Sequence, residues 1–268
     1  MWPNRHIRST KALLPGQYDS MRMPLSKEQG IVLRSIKLGE ADKIVTIMTQ
    51  GSGKVRAVAK GIRKTTSRFG ARLEPFTHVD LLLYRGRSSL DIVNQAEIIS
   101  PHRSVREDLG RFAAGETMLE AVDKVAEEHE RNVRLFLLLL SGLRAIESRP
   151  AEPASVAESF MLKLLSLSGF HPSLTACAVC GATPATLFSS GQGGAVCSNC
   201  AEYDAEPVSS EVLDFLSRLG TADMVDAGGM IPDEQVRRQA RGFLYAFAEY
   251  HLERRMRSLP MLARSLAT

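Results

Sequence analysis

Residues 30–64 read GIVLRSIKLGEADKIVTIMTQGSGKVRAVAKGIRK. Three runs rich in β-branched residues, Ile31 to Ile36, Ile44 to Met48 and Val55 to Ala59, are separated by Gly39 and by Gly51-Ser52-Gly53, residues that make tight turns between strands. His78 to Tyr84 and Leu90 to Ile98 repeat the pattern on either side of Gly86. Five short strands within about 70 residues are too few for a typical sandwich and fit a small closed barrel, for which the oligonucleotide-binding (OB) barrel is the common solution. Gly51-Ser52-Gly53-Lys54 resembles the end of a phosphate loop, but Met48 stands where the leading glycine belongs and Val55 where a magnesium-binding hydroxyl belongs, so it reads as a hairpin turn.

Beyond Pro101 the apolar period becomes helical. Leu109, Phe112, Ala113, Met118, Leu119, Val122 and Val125 mark one face, with Ser104 as the expected cap and Glu107 as its capping-box partner. Val133 to Ile146 is apolar nearly all round and is expected to be a buried central helix. Further helices are expected over Val156 to Leu167, Val212 to Leu219 and Val236 to Arg257. The fold class is therefore α+β and multidomain: a five-stranded OB barrel over residues 27–102, then a helical domain over 103–268 with an insert at 175–206. Residues 1–26 read as a disordered extension, with Met21 or Met23 as an alternative start.

That insert holds every cysteine of the chain, Cys177, Cys180, Cys197 and Cys200. Two Cys-x-x-Cys pairs with 16 residues between them suit one tetrahedral ion, because each pair forms a knuckle and Gly181 relieves the backbone after the first. One zinc is the expected cofactor. Four protein ligands leave no position for water or substrate, which makes the ion structural. A redox Cys-x-x-Cys would not need the second pair, and two disulfides are opposed by the reducing bacterial cytoplasm assumed for this chain. Leu187, Phe188 and Val196 flank a glycine-rich turn, giving a two-stranded ribbon. The segment from Thr175 to Glu206 contains no Lys or Arg and is a poor partner for phosphates.

Charge is divided along the chain. The overall balance is +4, but residues 1–106 carry 19 Lys+Arg against 8 Asp+Glu, and residues 107–268 carry 15 against 22. The basic part contains a run of seven cations, Lys54, Arg56, Lys60, Arg63, Lys64, Arg68 and Arg72, with no acid from Lys54 to Leu73. Such a run is often only a solvated face. Here it covers a strand end and a polar loop of a barrel that commonly binds nucleic acid, so these seven residues are the expected nucleic-acid contacts. Aromatic residues are few there, and Phe69 is as suited to plugging the barrel as to stacking on a base. Binding is therefore expected to rest on phosphates, with little sequence preference and strong salt dependence.

Other classes find little support. The apolar block Leu135 to Leu140 lies between Arg134 and Arg144, well short of the roughly 20 residues that cross a bilayer. No two of the six histidines stand at metal spacing, and His171 reads as a loop residue. No nucleophile elbow or kinase-like motif occurs, and no enzyme activity is expected.

The order of several short motifs resembles the RecO family of bacterial recombination mediators. These are Gly30-Ile31-Val32-Leu33, Gly39-Glu40-Ala41-Asp42-Lys43-Ile44-Val45, Ala59-Lys60-Gly61-Ile62-Arg63-Lys64, Gly169-Phe170-His171-Pro172 and Cys177-Ala178-Val179-Cys180-Gly181. The resemblance spans residues 27 to about 265. It implies an OB barrel, a helical domain and a zinc module in a cytoplasmic, nucleoid-associated protein. It also implies binding to single- and double-stranded DNA, annealing of complementary strands, association with RecR and contact with single-strand binding protein, so that RecA can load. The family's binding positions fall on Lys60, Arg63, Lys64 and Arg68. Two rival readings are another zinc-stabilised nucleic-acid binder, for instance of RNA, and a thiol redox enzyme.

Overall fold

The computed structural model describes residues 25–64, 67, 69–85 and 89–264. Residues 1–24 of the expected extension, and Arg68, lie outside the described residues. The barrel consists of β1 (Leu25–Leu38), β2 (Asp42–Thr49), β3 (Gly53–Ala59), β4 (His78–Tyr84) and β5 (Asp91–Ser100), closed in the order β1-β2-β3-β5-β4. Leu25 and Ser26, expected in the extension, instead open β1 by pairing with Tyr84 and Leu83.

Length explains the closure. β1 pairs with β4 through its first half and with β2 through its second, and the register shifts between Val32 and Arg34 where the strand turns from one partner to the other. Gly30 stands close to that change, where a Cβ would meet Ile47 Cγ2 at 2.5 Å. A short parallel pairing of Ala57 with Asp91 and Val58 with Ile92 joins β3 to β5. Along β3, Val55, Ala57 and Ala59 are buried while Lys54, Arg56 and Val58 alternate with them on the outer side. Phe69 is 1% exposed and packs with Val45, Ile47 and Val79, so it plugs the barrel and does not offer a stacking face.

The helical part contains α1 (Arg103–Arg106), α2 (Leu109–Val125), α3 (Val133–Glu147), α4 (Pro153–Leu167), α5 (Ser210–Thr221), α6 (Met224–Ala227), α7 (Glu234–Leu252) and α8 (Leu259–Arg264). The expected cap is corrected: Asp108, not Ser104, caps α2 by accepting from Arg111 N at 2.8 Å. Ser104 lies within α1 and donates to Glu147 O. The central helix is also corrected. α3 leaves Leu137 half exposed, whereas α4 is buried almost continuously from Ala154 to Leu165. The small residues Ala154, Ser155, Ala157 and Ser159 let neighbours approach α4 closely, an arrangement that apolarity alone does not reveal. α7 stops at Leu252, where Glu253 adopts a left-handed conformation, five residues before the expected end at Arg257.

Between α4 and α5 the ribbon forms β6 (Leu187–Ser189) and β7 (Gly194–Val196), joined by a third strand, β8 (Glu206–Pro207), along the other edge of β6. Phe188 packs against Phe243 and Phe247 of α7, which fastens the ribbon to the helical core.

Candidate nucleic-acid interface and metal centre

Barrel and helices meet across a charged seam. Asp123 of α2 receives Arg34 Nε at 2.7 Å, and the Lys54 ammonium lies 3.5 Å from its carboxylate and donates to its carbonyl at 2.5 Å. Arg56 faces Glu128 at 3.8 Å, while His129 N donates to Lys54 O at 2.9 Å. The first two cations of the run are therefore committed to holding the α2–α3 loop against β3. Ile31, Leu33, Met48 and Phe76 of the barrel enter the same apolar cluster as α2 and α3, so ionic and apolar contacts share the seam.

Beyond Ala59 the run changes character. Lys60, Arg63 and Lys64 are exposed and enter no ion pair among the described residues. Gly61, at φ +68°, reverses the chain, and its N–H donates to Asp42 Oδ1 at 2.7 Å. Arg63 N then donates to Ala41 O at 3.0 Å, and Arg63 Nη1 to Gly39 O at 3.2 Å. These bonds lay the turn over the β1–β2 hairpin tip. Arg72, by contrast, is half-buried and directs Nη1 to Phe69 O at 3.4 Å.

One candidate cation escaped the sequence reading. Lys37 is exposed and sits opposite Lys43 in the β1–β2 register, and Lys43 is itself opposite Ala59, the residue before Lys60. Lys43 pairs with Glu74 at 3.0 Å, whereas Lys37 enters no ion pair among the described residues. Lys37 stands alone among Ser, Ile and Leu in sequence, and only strand register carries it to the tip. The tip thus presents Lys37, Lys60, Arg63 and Lys64, flanked by the partly exposed Ile36 and Leu38. Four cations that enter no ion pair among the described residues, against Glu40 and Asp42 of the same hairpin, can attract a phosphate chain.

The second site is the thiol cluster. All four Sγ atoms lie within 4.8 Å of one another, and those of Cys180 and Cys197 are 3.8 Å apart. A tetrahedral ion with metal–sulfur bonds of about 2.3 Å needs sulfurs about 3.8 Å apart, so the cluster has the size of a filled coordination shell. The knuckle follows from the backbone: Gly181 N donates to Cys177 O at 2.9 Å with Gly181 at φ +75°, and Cys200 N donates to Cys197 O at 3.1 Å. Hydrogen bonds from the backbone of Cys197, Cys180 and Val179 pull the Cys177 thiol down to about 6. Hydrogen bonds among the neighbouring thiols, first Cys180 and then Cys197, push Cys200 up to about 12. Four crowded sulfurs resist carrying four negative charges by themselves, and a divalent cation relieves that repulsion. The four thiols can hold a metal ion.

Fold and sites together define a two-part protein, a closed barrel with a basic tip joined to a helical unit that carries a four-cysteine ribbon able to hold a metal ion. Residues 21–102 match the family described as "Recombination protein O N terminal", and residues 106–260 match "Recombination protein O C terminal". The chain belongs to the recombination protein O family. It is 44% identical over 246 residues to a protein of Frankia casuarinae, covering 91% of this chain and all of the relative. It is 42% identical over 248 residues to one of a Nocardioides species and 39% identical over 244 residues to one of Bifidobacterium longum, in each case over 90% of this chain and 99% or more of the relative. All three relatives are named DNA repair protein RecO. Among the described residues no helix is long and apolar enough to cross a membrane.

Proposed function

We propose that this chain is a recombination mediator that binds single- and double-stranded DNA through phosphates at the barrel tip and brings complementary strands together without ATP. The observation that carries this reading is the group of Lys37, Lys60, Arg63 and Lys64, exposed beside the β1–β2 hairpin and in no ion pair among the described residues. Such a surface neutralises phosphates without reading bases. Phe69 and Phe76 are both 1% exposed, which favours phosphate contact over stacking. Two strands held near the tip repel each other less, and pairing accelerates while the bases select the partner. Acting with RecR, the protein would help RecA load onto DNA coated by single-strand binding protein in the bacterial cytoplasm.

In this reading the ion held by Cys177, Cys180, Cys197 and Cys200 is zinc, and its role is structural. All four positions of a tetrahedral shell are taken by protein, so the metal supplies rigidity and no reaction step runs through it. The chain acts as a mediator and not as an enzyme. The test is annealing of complementary strands coated with single-strand binding protein, in ATP-free buffer, with and without RecR. Acceleration by the wild-type chain and its loss in Lys60→Ala/Arg63→Ala/Lys64→Ala support the reading. Full acceleration by that variant refutes the proposed interface, and RNA outcompeting DNA of equal length would favour an RNA-binding role.

A further inference from the structure

The acidic half of the chain has a surface that DNA binding does not explain. Three adjoining depressions of about 680, 500 and 510 Å³ run from the ribbon along the seam between α5 and α7. The first two share Pro207 and Gln239, and the second and third share Glu211, Asp233 and Val236, so they form one continuous groove. Its floor is apolar, with Phe188, Phe243, Val236 and Phe215. Its walls carry Asp204, Glu206, Glu211, Asp214 and Asp233 against a single cation, Arg218.

None of these five acids enters an ion pair among the described residues, whereas Asp123, Glu128, Glu152 and Glu158 all do. Among the described residues Asp204 accepts from Ser189 Oγ, at 3.0 Å, and Asp233 caps the first turn of α7. Like charges gathered around an apolar floor destabilise the free surface and favour a cationic occupant. A second observation comes from Gly242, which lines the groove in the interior of α7. Glycine there costs about 1 kcal/mol relative to alanine. A Cβ built at Gly242 meets nothing within 4 Å, so no packing contact inside this chain requires the missing side chain. The exposed glycine leaves this part of the groove floor open.

We propose that this groove is a docking site for a basic segment of a partner protein, in which Lys or Arg residues alternate with apolar ones and the backbone passes closest at Gly242. The acidic walls exclude nucleic acid, so the site is separate from the barrel tip and does not depend on the DNA-binding reading. From Gly242 to Glu234, α7 rises about 12 Å, which matches about four or five residues of an extended peptide.

The test is fluorescence anisotropy of the full chain with a labelled eight-residue peptide that alternates Arg with Leu and Phe, beside a control with Glu in place of Arg. The Arg peptide is expected to bind and to weaken with salt, and the Glu peptide not to bind. Glu206→Gln/Glu211→Gln/Asp214→Asn removes three exposed charges and is expected to weaken binding about tenfold. Gly242→Leu fills the floor and is expected to abolish binding while the melting temperature stays the same or rises. Binding unchanged in both variants overturns the proposal. So does a dimer that Gly242→Leu dissociates, which would make a second copy the occupant. A peptide of residues 1–24 displacing the probe with higher affinity would likewise overturn it in favour of the chain's own segment.

Discussion

The barrel and the helical half carry opposite charge, and they use it in two different ways. Where they meet, Arg34, Lys54 and Arg56 are set against Asp123 and Glu128, and the charges serve cohesion. Away from the seam, Lys37, Lys60, Arg63 and Lys64 on one half, and Glu206, Glu211 and Asp214 on the other, have no ionic partner among the described residues. Net charge therefore overstates the surface available to a ligand. Lys54 and Lys60 belong to one run, yet the first is fixed in an interdomain contact and the second is exposed.

The most severe way to break the contrast is to disrupt the four-thiol cluster, where a structural ion is proposed. Replacing one thiolate in Cys177→Ser is expected to cost on the order of several kcal/mol of metal-binding energy. The melting temperature of the helical half should fall and metal content should drop below one ion per chain, while DNA binding at the barrel tip persists at temperatures where the fold survives. Elemental analysis with a thermal melt checks this, and metal-free purified protein with four freely titrating thiols would contradict it.

A smaller effect separates cohesion from binding at the seam. Asp123→Ala leaves Arg34 and Lys54 without their carboxylate and is expected to cost about 1–3 kcal/mol in urea unfolding, with little change in DNA affinity at a temperature well below the transition. The reciprocal variant, Lys60→Ala/Arg63→Ala/Lys64→Ala, should leave unfolding unchanged and reduce the log–log salt slope of single-stranded DNA binding by about 0.7 for each phosphate that is no longer neutralised. If Lys54→Ala weakens DNA binding as much as the triple variant without destabilising the fold, the division of the run is wrong.

The mildest effect concerns pH. His78, 3% exposed with both ring nitrogens unpartnered among the described residues, lies against Phe136 of α3, and its pKa is held below the ordinary 6.5 by burial, then by His102 and Arg144, against a weaker opposing pull from Asp80. His102 is also lowered, chiefly by burial, although Glu147 at 2.7 Å draws it the other way. A histidine with a depressed folded pKa contributes stability that is present above its ordinary value and lost as pH falls through the folded one. Urea midpoints should therefore drop on going from pH 7.5 to pH 5, and His78→Phe should flatten that dependence.

Much of this architecture was legible in sequence because its signals are local. The alternation of Val55, Ala57 and Ala59 with Lys54 and Arg56 states which way β3 faces, and the two Cys-x-x-Cys pairs state a four-thiol cluster able to hold an ion whatever surrounds them. The glycines at 39, 51, 53 and 61 place the turns. Each of these depends on a few neighbouring residues and the fixed geometry of a strand or a knuckle.

Tertiary structure decided what each charge and each apolar face was for. Lys54 and Asp123 are far apart in sequence, and only the docking of α2 on the barrel reveals that one consumes the other. Lys37 reaches the tip through strand register, Phe69 becomes a plug through barrel closure, and α4 displaces α3 from the centre because its small residues admit neighbours from several sides. The physical reason is common to all four cases. Composition and periodicity fix how much charge and apolar surface a segment carries, but solvent access and the distance to an opposite charge are set by partners that meet only when the chain folds.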